Sequence, residues 1–270
     1  MPPDELPEAL RLAGAGRVRP NPVLARARRS VPQAVKPALR VVAGAVDPLR
    51  VARYRRASGY ERPIPRRTLR ARIGEGRVKP YVEDGLRVTG GVAEVAWRAG
   101  VDIREPGTVL DLGAGAGRLL VHLEAIRGAP DGLAACDVDA EAIRWLAGAL
   151  PGIEARVNSF DPPLPFDDDQ FDLLYCISIL THMDEATQDR WLAEIRRVVK
   201  PGGLALISVL GVFPYDETRS GTHPAALTRG LLKRLRTHGP LADEGFVFEP
   251  YEITAGSAEQ FPGISGNCRS

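Results

Sequence analysis

Val109-Leu110-Asp111-Leu112-Gly113-Ala114-Gly115-Ala116-Gly117-Arg118 is the stretch that decides how the rest of this 270-residue chain is read. It begins as a short apolar strand, carries a carboxylate near its end and runs straight into three alternating glycines. A helical pattern then starts at Leu119-Leu120 and continues through Leu123 and Ile126. Glycines at such a point let the backbone turn tightly and approach a ligand closely, because no side chain intervenes. The helix N-terminus that follows offers unpaired N–H groups.

Two details select the ligand. A dinucleotide fingerprint, Gly-x-Gly-x-x-Gly, would put its third glycine at 118, where this chain has Arg118. Asp111 also stands two residues before the first glycine, and a carboxylate there repels a pyrophosphate but suits an ammonium group. Both features count against a dehydrogenase that binds NAD. They favour S-adenosylmethionine, which carries an ammonium and a sulfonium and no phosphate.

Composition narrows the setting. Cys136, Cys176 and Cys268 are too few and too scattered for a disulfide framework or a zinc site, and no His/Cys/carboxylate cluster has ligand spacing, so no metal is expected. Cys136 and Cys176 sit in apolar runs and read as small core residues of a reducing, cytoplasmic protein. No apolar run approaches the roughly 18–20 residues that span a bilayer. The net charge of +2 hides an asymmetry: residues 1–79 hold 17 Arg and 2 Lys against 6 acids, a net of +13, leaving −11 for the remainder. An arginine-rich arm of this kind suits a solvated extension or an anionic partner. Tyr54 and Tyr60 are its only aromatics, so nucleic-acid stacking is not expected.

Residues 1–38 are broken by prolines at 2, 3, 7, 20, 22, 32 and 37 and read as poorly ordered. Residues 39–57 suit a short basic helix, Pro63 and Pro65 interrupt it, and Tyr81–Arg98 has helical periodicity. This places a basic extension at 1–74 and the main domain at 75–270. Within the domain, strands are expected at Thr108–Leu112, Leu133–Val138, Ile153–Val157, Phe171–Ile177 and Leu204–Leu210. Helices are expected at Gly117–Arg127, Ala140–Leu150 and Asp184–Val199, with Lys200-Pro201-Gly202-Gly203 as the turn into the fifth strand. Such alternation implies an α/β fold, a Rossmann-like, doubly wound and mostly parallel sheet. Farther on, Leu227–Leu235 reads as a helix, Gly245–Tyr251 as a strand, and Phe261–Ser270 has no periodic pattern.

Asp137 lies 20 residues after Gly117 at the end of the second strand, where doubly wound folds place the acid that holds ribose hydroxyls. Asp139 is the neighbouring candidate, and strand phase assigns it to the cap of the next helix. Val138 would pack on an adenine. Asn158 and Ser159 follow the third strand, where they would lie beside that base or form an ordinary polar turn. His182, just past the fourth strand, is placed to take a proton from an acceptor hydroxyl or to pack the following helix. Tyr215 and His223 are weaker candidates for the acceptor side.

Taken together, VLDLGAGAGRLL, LPFDDDQFDLLY and LAEIRRVVKPGG resemble the class I S-adenosylmethionine-dependent methyltransferases, in particular the small-molecule type. The resemblance spans roughly residues 75–211. It implies that Asp111, Gly113, Ala114, Gly115 and Gly117 cradle the methionine part of the cofactor and that Asp137 holds its ribose. Asn158 would stand where the family usually has an acid near adenine. Cys176 and Ile177 would line the pocket near the transferring methyl. The implied reaction is O- or N-methylation of a small-molecule or glycan-type acceptor. The alternative is a non-catalytic or truncated methyltransferase-like protein that binds an anionic partner through its basic arm. The family's closing antiparallel strand pair has no clear counterpart before Ser270, so the C-terminal strands are expected to be incomplete.

Overall fold

The computed structural model describes residues 42–73, 75–105, 107–209, 246–248 and 267–269. These fall into two compact units. The helical unit takes in the described residues up to 106, together with 114–131 and 139–155. The sheet unit takes in 107–113, 132–138 and the described residues from 156 onward.

Five strands form the main sheet: β1 (Val109–Leu112), β2 (Leu133–Asp137), β3 (Glu154–Val157), β4 (Phe171–Cys176) and β5 (Val199–Ile207). Their order is β3-β2-β1-β4-β5, and β1 pairs in parallel with both β2 and β4. The chain therefore winds outward in one direction from β1 to β3 and in the other from β4 to β5. The point of reversal lies between β1 and β4, where doubly wound sheets bind ligands outside the carboxyl ends of the strands. The fold expected from the alternation of strand and helix is the one observed.

One layer of the sheet is apolar throughout. Leu110 and Leu112 of β1, Ala134 and Cys136 of β2, and Leu174 and Cys176 of β4 share a buried cluster with Trp191, Ile195 and Val198. Those three residues come from a helix, Glu185–Val198, that begins at an Asp184 cap accepting from Thr187 N–H. Because strand side chains alternate, Val109, Asp111, Leu173 and Tyr175 project from the opposite face. The N-terminal edge is tied by Asp172, which accepts from the Thr108 N–H and hydroxyl at 2.8 and 2.9 Å and from Lys200 Nζ at 2.8 Å. The Lys200 bond, then those from Thr108, hold the Asp172 carboxyl down to about 2.

In the helical unit, α1 (Asp47–Ser58) begins within the predicted basic helix, runs one residue past its expected end and stops at Gly59, whose φ of +67° is the left-handed end conformation that glycine tolerates. A six-residue helix, α2 (Arg67–Arg72), follows the two prolines, and α3 (Val78–Arg98) follows that. The helices α4 (Leu120–Arg127) and α5 (Ala140–Ala149) match the segments expected after the first and second strands, and the Glu185–Val198 helix is α6.

Two expectations are corrected. No separate turn stands at Lys200–Gly203: α6 passes directly into β5 at Val199, because Val199 pairs opposite Phe171 and draws the segment into the ladder, with an irregular register before Leu173. The structureless tail contains a strand, β7 (Asn267–Arg269), and it pairs antiparallel with β6 (Phe246–Phe248), which lies within the predicted Gly245–Tyr251. Runs of three residues are too short to show a period. The predicted helix Leu227–Leu235, residues 1–38, Tyr215 and His223 lie outside the described residues.

Candidate cofactor site

The carboxyl ends of β1, β2 and β4 bring several predicted residues together within the sheet unit. Asp111 sits opposite Ala135 of β2 and Tyr175 of β4. Asp137, two residues beyond Ala135, therefore lies on the same face as Asp111. Asp111 is 4% exposed and Tyr175 1%. The Tyr175 hydroxyl is buried without a well-formed hydrogen bond, and burial, followed by the Asp111 charge, raises its pKa far above the ordinary phenol value. Two carboxylates on one face of a parallel sheet, one of them beside a buried phenol, make an acceptor-rich surface.

Past β1 the backbone takes the conformation that only glycine adopts freely. Gly113, Gly115 and Gly117 have φ values of +81°, +53° and +70°. A β-carbon on Gly113 would stand 2.3 Å from Cδ1 of Ile179, and one on Gly117 would stand 2.5 Å from Cδ1 of Leu146. The loop is thus shaped by conformation and by close packing at once. Ala114 and Ala116 between the glycines are buried.

At the end of β3, the Asn158 N–H donates to the Asp137 carbonyl at 3.2 Å. The Asn158 side-chain amide donates to the Ser159 carbonyl at 2.7 Å, while its Oδ1 is buried with no hydrogen-bond partner. Ser159 is exposed, and Asp137 and Val138 are half-buried. Asp139 is the N-cap of α5 and accepts from the Glu141 and Ala142 N–H groups, as strand phase predicted.

Cys176 is not brought to this surface by its side chain. Its register partner is Leu112, so the thiol points into the α6 layer, fully buried, and burial pushes its pKa up to about 12. His182 lies in a 3-10 turn, Leu180–His182, that follows β4. Gln188 of α6, itself buried, holds that turn by donating to the Leu180 and Met183 carbonyls at 2.9 and 3.1 Å. Burial lowers the His182 pKa, and a hydrogen bond to the Ser178 backbone opposes the shift. Ser178 has a φ of +59°, a strained value for a residue with a side chain, and its N–H donates to the Ser208 hydroxyl at 2.6 Å.

Tyr175 was missed from the sequence, since one tyrosine in an apolar run carries no signal until its register against Asp111 is known. A cleft of about 830 Å³ also runs along α6 and the outer strand β5, past Leu192, Arg196, Lys200 and Gly203. It contains none of the predicted site residues. Among the described residues, no group of His, Cys, Asp and Glu is arranged to hold a metal ion.

The polar set at this end of the sheet is one of acceptors. Asp111 and Asp137 accept hydrogen bonds, and so does the orphaned Asn158 Oδ1. An ammonium, a ribose diol and a 6-aminopurine all donate. The class this defines is a doubly wound α/β protein whose switch point is lined by acceptors and suits a ligand rich in N–H and O–H donors. The methyltransferase domain family matches residues 109–203, from the first residue of β1 into β5. Over that segment the chain is similar to methyltransferases.

An uncharacterized methyltransferase of Schizosaccharomyces pombe is 34% identical over 106 residues, 39% of this chain and 40% of that protein. The methyltransferase GfsG of Streptomyces halstedii is 30% identical over 140 residues, 48% of this chain and 46% of that protein. The chain thus spans less than half the length of these curated relatives. Among solved structures, an S-adenosylmethionine-dependent methyltransferase from Mesorhizobium loti is similar with a TM-score of 0.36 and 24% identity, over 44% of this chain and 53% of that one.

Proposed function

We propose that this chain methylates an oxygen or nitrogen of a small-molecule or glycan-type acceptor, with residues 75–270 as the catalytic domain and S-adenosylmethionine as the donor. The observation that carries the reading is the pairing of Asp111 and Asp137 on one sheet face with a glycine loop held at positive φ. Asp111, with Gly113, Ala114, Gly115 and Gly117, would hold the methionine end, Asp137 the ribose, and Val138, Asn158 and Ser159 the adenine. Asn158 Oδ1, already freed by the amide's bond to Ser159, is the acceptor for the purine amino group and replaces the acid usual at this position. When bound, the cofactor supplies a sulfonium methyl activated for in-line attack.

His182 is the proton acceptor in this reading. Its lowered pKa keeps the imidazole neutral at pH 7 and able to take a proton from an acceptor hydroxyl. An amine acceptor needs less from it, since positioning supplies much of the acceleration. Free, buried Cys136 and Cys176 suit a reducing, cytoplasmic setting. Among the described residues, no helix is long and apolar enough to cross a membrane.

A second reading keeps the arm for an anionic partner. Arg50, Arg53 and Arg56 are exposed and recur every three residues along α1. Binding through them would fall steeply with ionic strength.

Calorimetric titration with S-adenosylhomocysteine, with NADH as control, tests the main reading. Micromolar affinity for the first alone, weakened roughly 10- to 100-fold by Asp137→Ala through loss of charge-assisted bonds, is the expected result. Binding of neither ligand overturns it, and binding of NADH replaces it with redox chemistry.

A further inference from the structure

We propose that α2 and its flanks form a strap that sets both cofactor loops, with Leu69 and Arg72 as positioning residues; this rests on the S-adenosylmethionine reading above. The strap begins with Pro65, whose carbonyl accepts from the Arg70 guanidinium. At its centre Arg70 is fully buried. Its guanidinium donates to the Pro65 carbonyl, to Asp47 Oδ1 at 2.5 Å and to the Gly76 carbonyl at 2.9 Å. Asp47 also accepts from the Arg67 N–H at 3.1 Å. The segment is thereby folded around one cation and held against the start of α1, so the neighbours of Arg70 are presented in a fixed direction.

Those neighbours reach two places in the helical unit. Leu69, 3% exposed, packs in a cluster with Ala116 and Ala142, against which Trp145 also lies. Ala116 is the residue between Gly115 and Gly117. Arg72 pairs with Asp139 and with Glu141. Asp139 divides its oxygens: Oδ1 caps α5 by accepting two N–H groups at 3.1 Å, while Oδ2 takes Arg72. Asp139 follows Asp137-Val138 directly in the chain. One short helix therefore grips the middle of the glycine loop with an apolar contact and the end of the ribose loop with an ion pair to Asp139, while the other arm of the same guanidinium holds Glu141 of α5.

The position of Arg72 argues against a role in capping α5. A cation at a helix N-terminus opposes the helix dipole. Asp139 already satisfies the cap without it. What Arg72 adds is a fixed orientation of the residues after Asp137, and preorganised loops bind more tightly because less ordering is lost on binding. It also gives the arm's positive charge an intramolecular use: Arg62 pairs with Glu124 and Arg66 with Glu141 in the same unit.

The test uses the full chain with Arg72→Ala, Arg72→Lys, Leu69→Ala and, as control, Arg77→Ala, whose exposed side chain pairs with Glu75. Arg72→Ala should weaken S-adenosylhomocysteine about tenfold by calorimetry while the ligand-free melting temperature moves by no more than about 2 °C. Arg72→Lys should recover part of the affinity, since an ammonium reaches one carboxylate in place of two. Leu69→Ala should speed amide hydrogen exchange at 113–117 in the ligand-free protein, with β4 unchanged. Wild-type affinity in Arg72→Ala overturns the strap, as does unchanged exchange at 113–117 in Leu69→Ala. If the wild type itself fails to bind S-adenosylhomocysteine, the cofactor reading falls separately, and the exchange measurement still decides the strap.

Discussion

Arg70→Met probes the contact on which the N-terminal half of the helical unit is built. Arg70 is 0% exposed and Asp47 6% exposed, and they meet through Arg70 Nη2 and Asp47 Oδ1. Methionine replaces most of the apolar stem, so little cavity results and the loss is chiefly electrostatic. What remains is a buried carboxylate whose other contact is the Arg67 N–H, together with the Pro65 and Gly76 carbonyls deprived of their donor. Removing one partner of a buried pair costs about 3–5 kcal/mol. For a domain of this size each kcal/mol moves the melting temperature by roughly 2–4 °C, so the variant should melt on the order of 10 °C lower. Because the pair is out of water, about 0.5 M salt should change that difference little. The double variant Asp47→Asn/Arg70→Met should recover at least half of it, because the orphaned charge is gone. A melting temperature within about 3 °C of wild type would refute the reasoning, for it would mean that Asp47 relaxes into solvent.

Two further outcomes follow from single positions. Burial, then hydrogen bonding to the Val82 backbone in opposition and the charge of Arg62, leave His122 with a pKa of about 4, below the ordinary 6.5. The unfolded chain therefore takes up this proton first: stability is full above about pH 6.5 and falls as pH drops toward 4, by at most about 3 kcal/mol. Urea melts between pH 7 and 4 should show the slope, and His122→Gln should flatten it. Gly113→Ala sets a methyl against Ile179 at a φ of +81°. That conformation alone costs about 1–2 kcal/mol, so the variant should melt several degrees lower and lose cofactor affinity; an unaltered affinity would show that the turn does not need its glycine.

Much of this architecture could be read locally. Leu110, Leu174 and their neighbours are apolar runs bounded by glycine, proline or acid, and each became a strand near its expected place. Asp139 was legible as a cap because capping joins residues two and three apart. α2 was not legible, since six residues complete too few turns for a period to appear and its stability comes from Arg70 gripping Asp47, 23 positions away. Nor could the excess of arginine before residue 80 be assigned: a sum of charges does not say that Arg62, Arg66 and Arg72 meet Glu124, Glu141 and Asp139 while Arg50, Arg53 and Arg56 stay exposed.

By itself the amino-acid sequence determined the fold class, the glycine loop and the carboxylates that flank it, because backbone freedom and strand or helix periodicity are properties of neighbouring residues. Only the tertiary structure decided which side chains share a face. The pairing of Asp111 with Tyr175 depends on strand register, as does the turning of Cys176 into the apolar layer. The clasp of Leu69 on Ala116 depends on a helix packed against a loop more than forty residues later. Register and packing are set by contacts between distant segments, and those take form only when the chain has folded.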